Sequence, residues 1–107
     1  MKQMNPSELQ ALLSSGVQPL MLDVREAHEL PNGMIAGAQH IPMNDIPARL
    51  EEFANYKDQT VVLICRSGKR SAQVGQFMEH VGFTDVINLD GGMNGWATDV
   101  DTSMTVY

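Results

Sequence analysis

Residues 60–81 constrain the fold of this chain more than any other stretch. Thr60–Ile64, TVVLI, is a β-branched apolar run with no polar alternation after Thr60, the pattern of a strand buried on both faces. Beyond a short gap, Val74, Phe77, Met78 and Val81 fall at i, i+3, i+4 and i+7, which predicts an amphipathic helix over 71–80. A strand with two buried faces needs cover on each side. Strand followed by helix also implies right-handed crossovers and a mostly parallel sheet.

The rest of the chain repeats that alternation. Asn5-Pro6-Ser7-Glu8 is a helix start, with Asn5 as N-cap, Pro6 in the first turn and Glu8 completing a capping box. Leu9, Leu12 and Leu13 continue it, and Gly16 ends it. Residues 19–24 (PLMLDV) read as a short buried strand, with Asp23, Arg25 and Glu26 where it emerges. Residues 26–30 read as one helical turn stopped by Pro31-Asn32-Gly33, and 37–42 as a very short strand. Ile46, Leu50 and Phe53 predict a helix begun near Asn44 or Asp45, and residues 86–89 another strand before the turn Asp90-Gly91-Gly92. The whole, 1–107, reads as one α/β domain with a core over about 3–97 and a polar tail over 98–107.

Charge narrows the partners. The net charge of −6 argues against nucleic acid or an anionic membrane surface. No apolar run approaches the roughly 18 residues of a membrane helix. Lys2 has no apolar segment behind it, so a cytoplasmic location is the expectation. Yet of seven lysines and arginines, Arg66, Lys69 and Arg70 stand directly behind the only cysteine, Cys65.

That placement carries the chemistry. In an open α/β sheet, sites form beyond the carboxyl ends of strands, and Cys65 lies at that end of the most apolar one. A tight loop eased by Gly68 turns backbone N–H groups inward, and the start of the next helix adds partial positive charge. Cationic neighbours and a helix N-terminus lower a thiol pKa, and the thiolate is the reactive form. The same surroundings attract a small anionic substrate. A buried structural cysteine is the blander alternative, but a structural turn needs neither three cations nor a glycine. A lone cysteine excludes an internal disulfide, a Cys-x-x-Cys redox pair and a four-cysteine zinc site, and no cofactor is implied.

Four segments in order resemble the single-domain rhodaneses, the thiosulfate sulfurtransferase family. These are LMLDVREAHEL (20–30), GMIAGAQHIP (33–42), VVLICRSGKRSAQ (61–73) and VINLDGGMNGW (86–96). Met34 and Ala36 stand where the family has histidine and proline, positions of structural character. The resemblance implies a rhodanese-like fold, a five-stranded parallel sheet flanked by helices on both faces. It also implies that Cys65 takes the outer sulfur of thiosulfate or a similar donor as a persulfide. The N–H groups of Arg66, Ser67, Gly68, Lys69 and Arg70 would hold that persulfide. The sulfur then passes to cyanide, to a cellular thiol, or to a sulfur-accepting partner protein.

Rival readings fit less well. Cysteine phosphatases and arsenate reductases of related fold carry Cys-x5-Arg, whose arginine clamps phosphate oxygens. Here Arg70 follows Cys65 after four residues, and Ser71 stands where that arginine belongs. Non-catalytic rhodanese modules often lack the cysteine that this chain keeps. A hydrolase needs a histidine base, but His80 lies beyond the loop by more than two turns, and His28 and His40 sit in turn-rich segments expected to be solvated. Asp23 and Arg25 are expected to form an exposed strand-end pair. The eight methionines are expected to fill core gaps, and Trp96 to anchor the last helix on the sheet. Asp90-Gly91-Gly92 reads either as a plain turn or as a bend toward the Cys65 loop.

Overall fold

In a computed structural model describing residues 1–107, five parallel strands form one sheet. They are β1 (Lys2–Met4), β2 (Leu20–Asp23), β3 (Gln39–His40), β4 (Thr60–Ile64) and β5 (Asp85–Leu89), ordered β1-β5-β4-β2-β3 across the sheet. β4 is central, pairing Val61 with Leu20 on one side and with Val86 on the other. Its side chains alternate between two cores. Val61, Leu63 and then Cys65 face Val74 and Met78 of α3 (Lys69–His80), with Ile46 and Phe53 beside them. Val62 and Ile64 face Leu9 of α1 (Pro6–Ser14) and Met93 and Trp96 of α4 (Gly92–Asp99). Both faces are covered, as the apolar character of β4 demands.

The helix signals are realised in detail. Asn5 Oδ1 accepts from the Glu8 N–H at 2.8 Å, and Glu8 Oε1 accepts from the Asn5 N–H at 3.0 Å, closing the capping box. Trp96 packs α4 against the sheet as expected. The helix predicted from Ile46, Leu50 and Phe53 is broken into a 3-10 turn (Met43–Asp45), a single α-turn α2 (Ile46–Arg49) and a second 3-10 stretch (Leu50–Tyr56). α3 begins at Lys69, so Lys69 and Arg70 belong to its first turn.

Four expectations change. β1 has no apolar run to announce it; as a three-residue edge strand it needs only backbone pairing, from Lys2 opposite Ile87 to Met4 opposite Leu89. Asp23 and Arg25 are wholly buried, at 0% exposure. Burial is tolerable because every guanidinium donor finds an acceptor: Asp23 takes Nε and Nη2, Gly33 O takes Nη2 at 2.8 Å, and the Glu29 carbonyl and Tyr107 hydroxyl take Nη1. His40 is half-buried and its Nε2 donates to the Arg25 carbonyl at 2.7 Å. The C-terminal segment does not trail away from the domain; Thr105 N–H donates to Asn32 O, and the Tyr107 side chain joins the Arg25 cluster.

Leu63 is 0% exposed at the centre of β4, and α3 approaches it closely enough that a Cβ on Gly75 would sit 3.3 Å from its Cδ1. Leu63→Ala is therefore expected to lower the free energy of unfolding in urea by about 2–5 kcal/mol. Val17→Ala, at an exposed position, is expected to change it by less than about 0.5 kcal/mol.

Candidate active site

The site lies where β4 ends. Cys65 is 1% exposed and continues the strand's inward alternation, so its side chain is delivered to the α3 side of the sheet. Gly68, the N-cap of α3, has φ +100°, a conformation that L side chains rarely adopt. It lets the chain turn at once from strand into helix, and the Gly68 N–H then donates to Cys65 Sγ at 3.1 Å.

The loop is braced from behind. Met93 and Asn94, in the first turn of α4, donate their N–H groups to the carbonyls of Cys65 (2.8 Å) and Arg66 (3.1 Å). This approach is so close that a Cβ on Gly92 would fall 2.4 Å from Cys65 O. Gly91 and Gly92 both have positive φ. The glycine pair is thus a bend toward the Cys65 loop rather than a plain turn.

Around the sulfur, the Ser71 hydroxyl lies 3.2 Å from Sγ and also hydrogen-bonds Asn88 Oδ1 on β5. The Asn88 Nδ2 group donates to Gly68 O at 3.1 Å and to Gln3 Oε1 at 2.9 Å. Burial pushes the Cys65 thiol up. The Ser71 hydroxyl and the N–H groups of Ser71, Gly68 and Ser67 outweigh burial, and the thiol sits below its ordinary value. The cradle therefore favours an anionic sulfur.

The cations divide into two kinds. Arg66, Ser67 and Lys69 are exposed at the rim, with the Arg66 guanidinium 5.0 Å from the centroid of the Tyr107 ring. Arg70 turns away to a bidentate pair with Glu29, at 2.6 and 2.7 Å. The Arg70 fork holds the Glu29 carboxyl at about 2, helped by the Glu26 N–H and the Tyr107 hydroxyl against the opposing effect of burial. The Tyr107 hydroxyl donates to Glu29 Oε1 at 2.9 Å. Ser71, Asn88, Glu29 and Tyr107 were not singled out from sequence. An asparagine inside the apolar run VINL was the one visible signal among them.

No residue from 65 to 71 lines the cavity of about 900 Å³ that opens at the start of β2 between α1, the end of α4 and residues 34–39. The geometry assembled on Cys65 is instead a shallow anion cradle at the opposite, carboxyl end of the sheet.

Comparison with known proteins places this arrangement. A profile of the Rhodanese-like domain matches residues 5–99. The putative sulfurtransferase YtwF of Bacillus subtilis is 39% identical over 95 residues, covering 89% of each protein. The probable adenylyltransferase/sulfurtransferase MoeZ of Mycobacterium tuberculosis is 35% identical over 102 residues, which is 95% of this chain and 26% of that protein. The crystal structure of a rhodanese-like domain protein from Staphylococcus aureus superposes with a TM-score of 0.84 at 33% identity, covering 100% of this chain and 99% of the other. The matched span and the superposition agree, and the chain belongs to the rhodanese-like domain family.

Proposed function

We propose that the chain is a sulfurtransferase that carries one sulfane sulfur as a persulfide on Cys65, loading it from thiosulfate or a similar anionic donor. The observation that carries this reading is the cradle of N–H groups that lowers the thiol pKa of a cysteine at the end of the central strand. The Cys65 thiolate attacks the outer sulfur of the donor. A new S–S bond forms at Sγ, the donor's S–S bond breaks, and sulfite departs with the bonding pair. The negative charge moves to the outer persulfide sulfur, where the N–H groups of residues 66–70 stabilise it. A thiolate or cyanide acceptor then attacks that sulfur, takes it as its own persulfide or as thiocyanate, and returns the Cys65 thiolate. The cradle favours the thiolate, which lessens the need for a base.

Arg66 and Lys69, exposed at the rim, draw in the anionic donor. Ser67 and Gly68 supply backbone donors. Arg70 contributes its N–H to the loop while its guanidinium is held by Glu29. Transfer to a partner protein is a second reading. It is favoured by the similarity to MoeZ, where a segment like this one makes up part of a larger adenylyltransferase/sulfurtransferase.

Incubation with thiosulfate is expected to add the mass of one sulfur atom to the intact chain, and Cys65→Ser to abolish the addition. A chain that gains no sulfur, or gains it without Cys65, rejects the proposal. Arg66→Ala and Lys69→Ala are expected to raise KM for thiosulfate several-fold and to flatten its dependence on ionic strength, with kcat little changed. Unchanged KM and salt dependence would remove their assigned role. Loading depends on a thiol whose pKa is lowered, so the thiolate persists below the ordinary cysteine range. The loading rate is expected to fall as pH drops through that lowered value, with a midpoint below the ordinary cysteine range, read from a pH profile of single-turnover loading.

A further inference from the structure

Ser71 stands between two acceptors and owns one proton. Its Oγ is 3.2 Å from Cys65 Sγ and is hydrogen-bonded to Asn88 Oδ1. The orientation of the Asn88 amide is not free. Nδ2 must face Gly68 O, a carbonyl that can only accept, and it also reaches Gln3 Oε1. Oδ1 is therefore the atom turned to Ser71, and an amide oxygen cannot donate. The one Ser71 proton faces two acceptors, Cys65 Sγ and Asn88 Oδ1, and the shorter contact is to Asn88.

We propose that Asn88 is a positioning residue for Cys65. By drawing the Ser71 proton to its own Oδ1, it competes with Cys65 Sγ for the one hydroxyl donor. Ser71 can then serve the thiolate only after its bond to Asn88 is broken. The backbone N–H of Gly68 has no such rival, so it stabilises the anion without cost elsewhere. The arrangement discriminates between the forms of the site. Beside a bare thiolate the hydroxyl must choose between two partners. In the persulfide the negative charge sits one atom further out, Sγ is no longer anionic, and the Ser71–Asn88 bond stands undisturbed. The pair thus favours the sulfur-loaded form over the empty thiolate, while Asn88 itself is buried, at 3% exposure.

This inference rests on the reading of Cys65 as the nucleophile, but its test reads thiol ionisation directly. Cys65 is the only cysteine, so the ultraviolet absorbance of thiolate and the pH dependence of alkylation both report on it alone. The charged and titratable groups around the sulfur stay constant across the variants: Arg66, Lys69 and Arg70 on the loop and α3, Asp23 and Arg25 beyond β2, Glu29 and Tyr107 behind Arg70, and Asp90 beyond β5.

Asn88→Leu is expected to free the Ser71 proton for the sulfur and lower the Cys65 pKa by about one unit, roughly tenfold more thiolate at a given acidic pH. In a Ser71→Ala background the same replacement is expected to produce no such fall. A merely structural role predicts the opposite sign, because losing the Nδ2 hold on Gly68 loosens the N–H cradle and raises the pKa. An unchanged or raised pKa in Asn88→Leu, or an equal fall without Ser71, overturns the proposal. Should Asn88→Leu fail to fold, Ser71→Ala alone decides. It is expected to raise the pKa by less than about half a unit, whereas a rise beyond about one unit marks a hydroxyl dedicated to the sulfur and overturns the proposal. If these shifts occur and thiosulfate still adds no sulfur, the transfer reading fails and the positioning role of Asn88 stands.

Discussion

A peptide group that turns its N–H inward must turn its carbonyl outward, and the cradle at Cys65 depends on what receives those carbonyls. The first turn of α4 receives them: Met93 and Asn94 bind the oxygens of Cys65 and Arg66. Without these two bonds the carbonyls of Cys65 and Arg66 would lose the partners that fix them. With them, the loop's N–H groups can converge on one sulfur. Gly92 makes the approach possible, because any side chain there would collide with the backbone it is meant to support. The Gly-Gly bend after β5 and the Cys65 loop after β4 are one structure, joined across neighbouring strands.

A second set of interactions fixes the outer side of the loop. Asp23 holds Arg25, Arg25 donates to the Tyr107 hydroxyl, Tyr107 donates to Glu29, and Glu29 grips Arg70 in the first turn of α3. The chain of contacts runs from the end of β2 through the C-terminal segment to the helix that starts at the loop. Because buried charges are costly unless fully paired, each member constrains the rotamer of the next. Arg70 is thereby committed to structure, and the rim is left to Arg66 and Lys69.

Much of this was legible in the sequence, for identifiable reasons. Thr60–Ile64 and the stripe Val74, Phe77, Met78 and Val81 are local patterns whose periods report burial directly, and the Asn5–Glu8 capping box is a pair three residues apart. The charge cluster behind Cys65 marked the loop. What escaped was non-local. Arg25 is buried because, besides Asp23, its acceptors come from Gly33, Glu29 and Tyr107, none of which its neighbours reveal. The Lys2–Met4 strand is polar and short, and only β5 gives it a role. Ser71 and Asn88 meet across 17 positions of sequence, and only the parallel pairing of β4 with β5 brings them together.

The brace behind the loop also ties cargo to endurance. α4 grips the same peptides whose opposite faces would cup a bound sulfur, so occupancy and tertiary docking draw on one set of bonds. Whatever fills the cup adds its contacts to the native chain and to no unfolded one. Under the proposed sulfur-carrying role, heat resistance becomes a gauge of payload: a charged molecule outlasts a spent one.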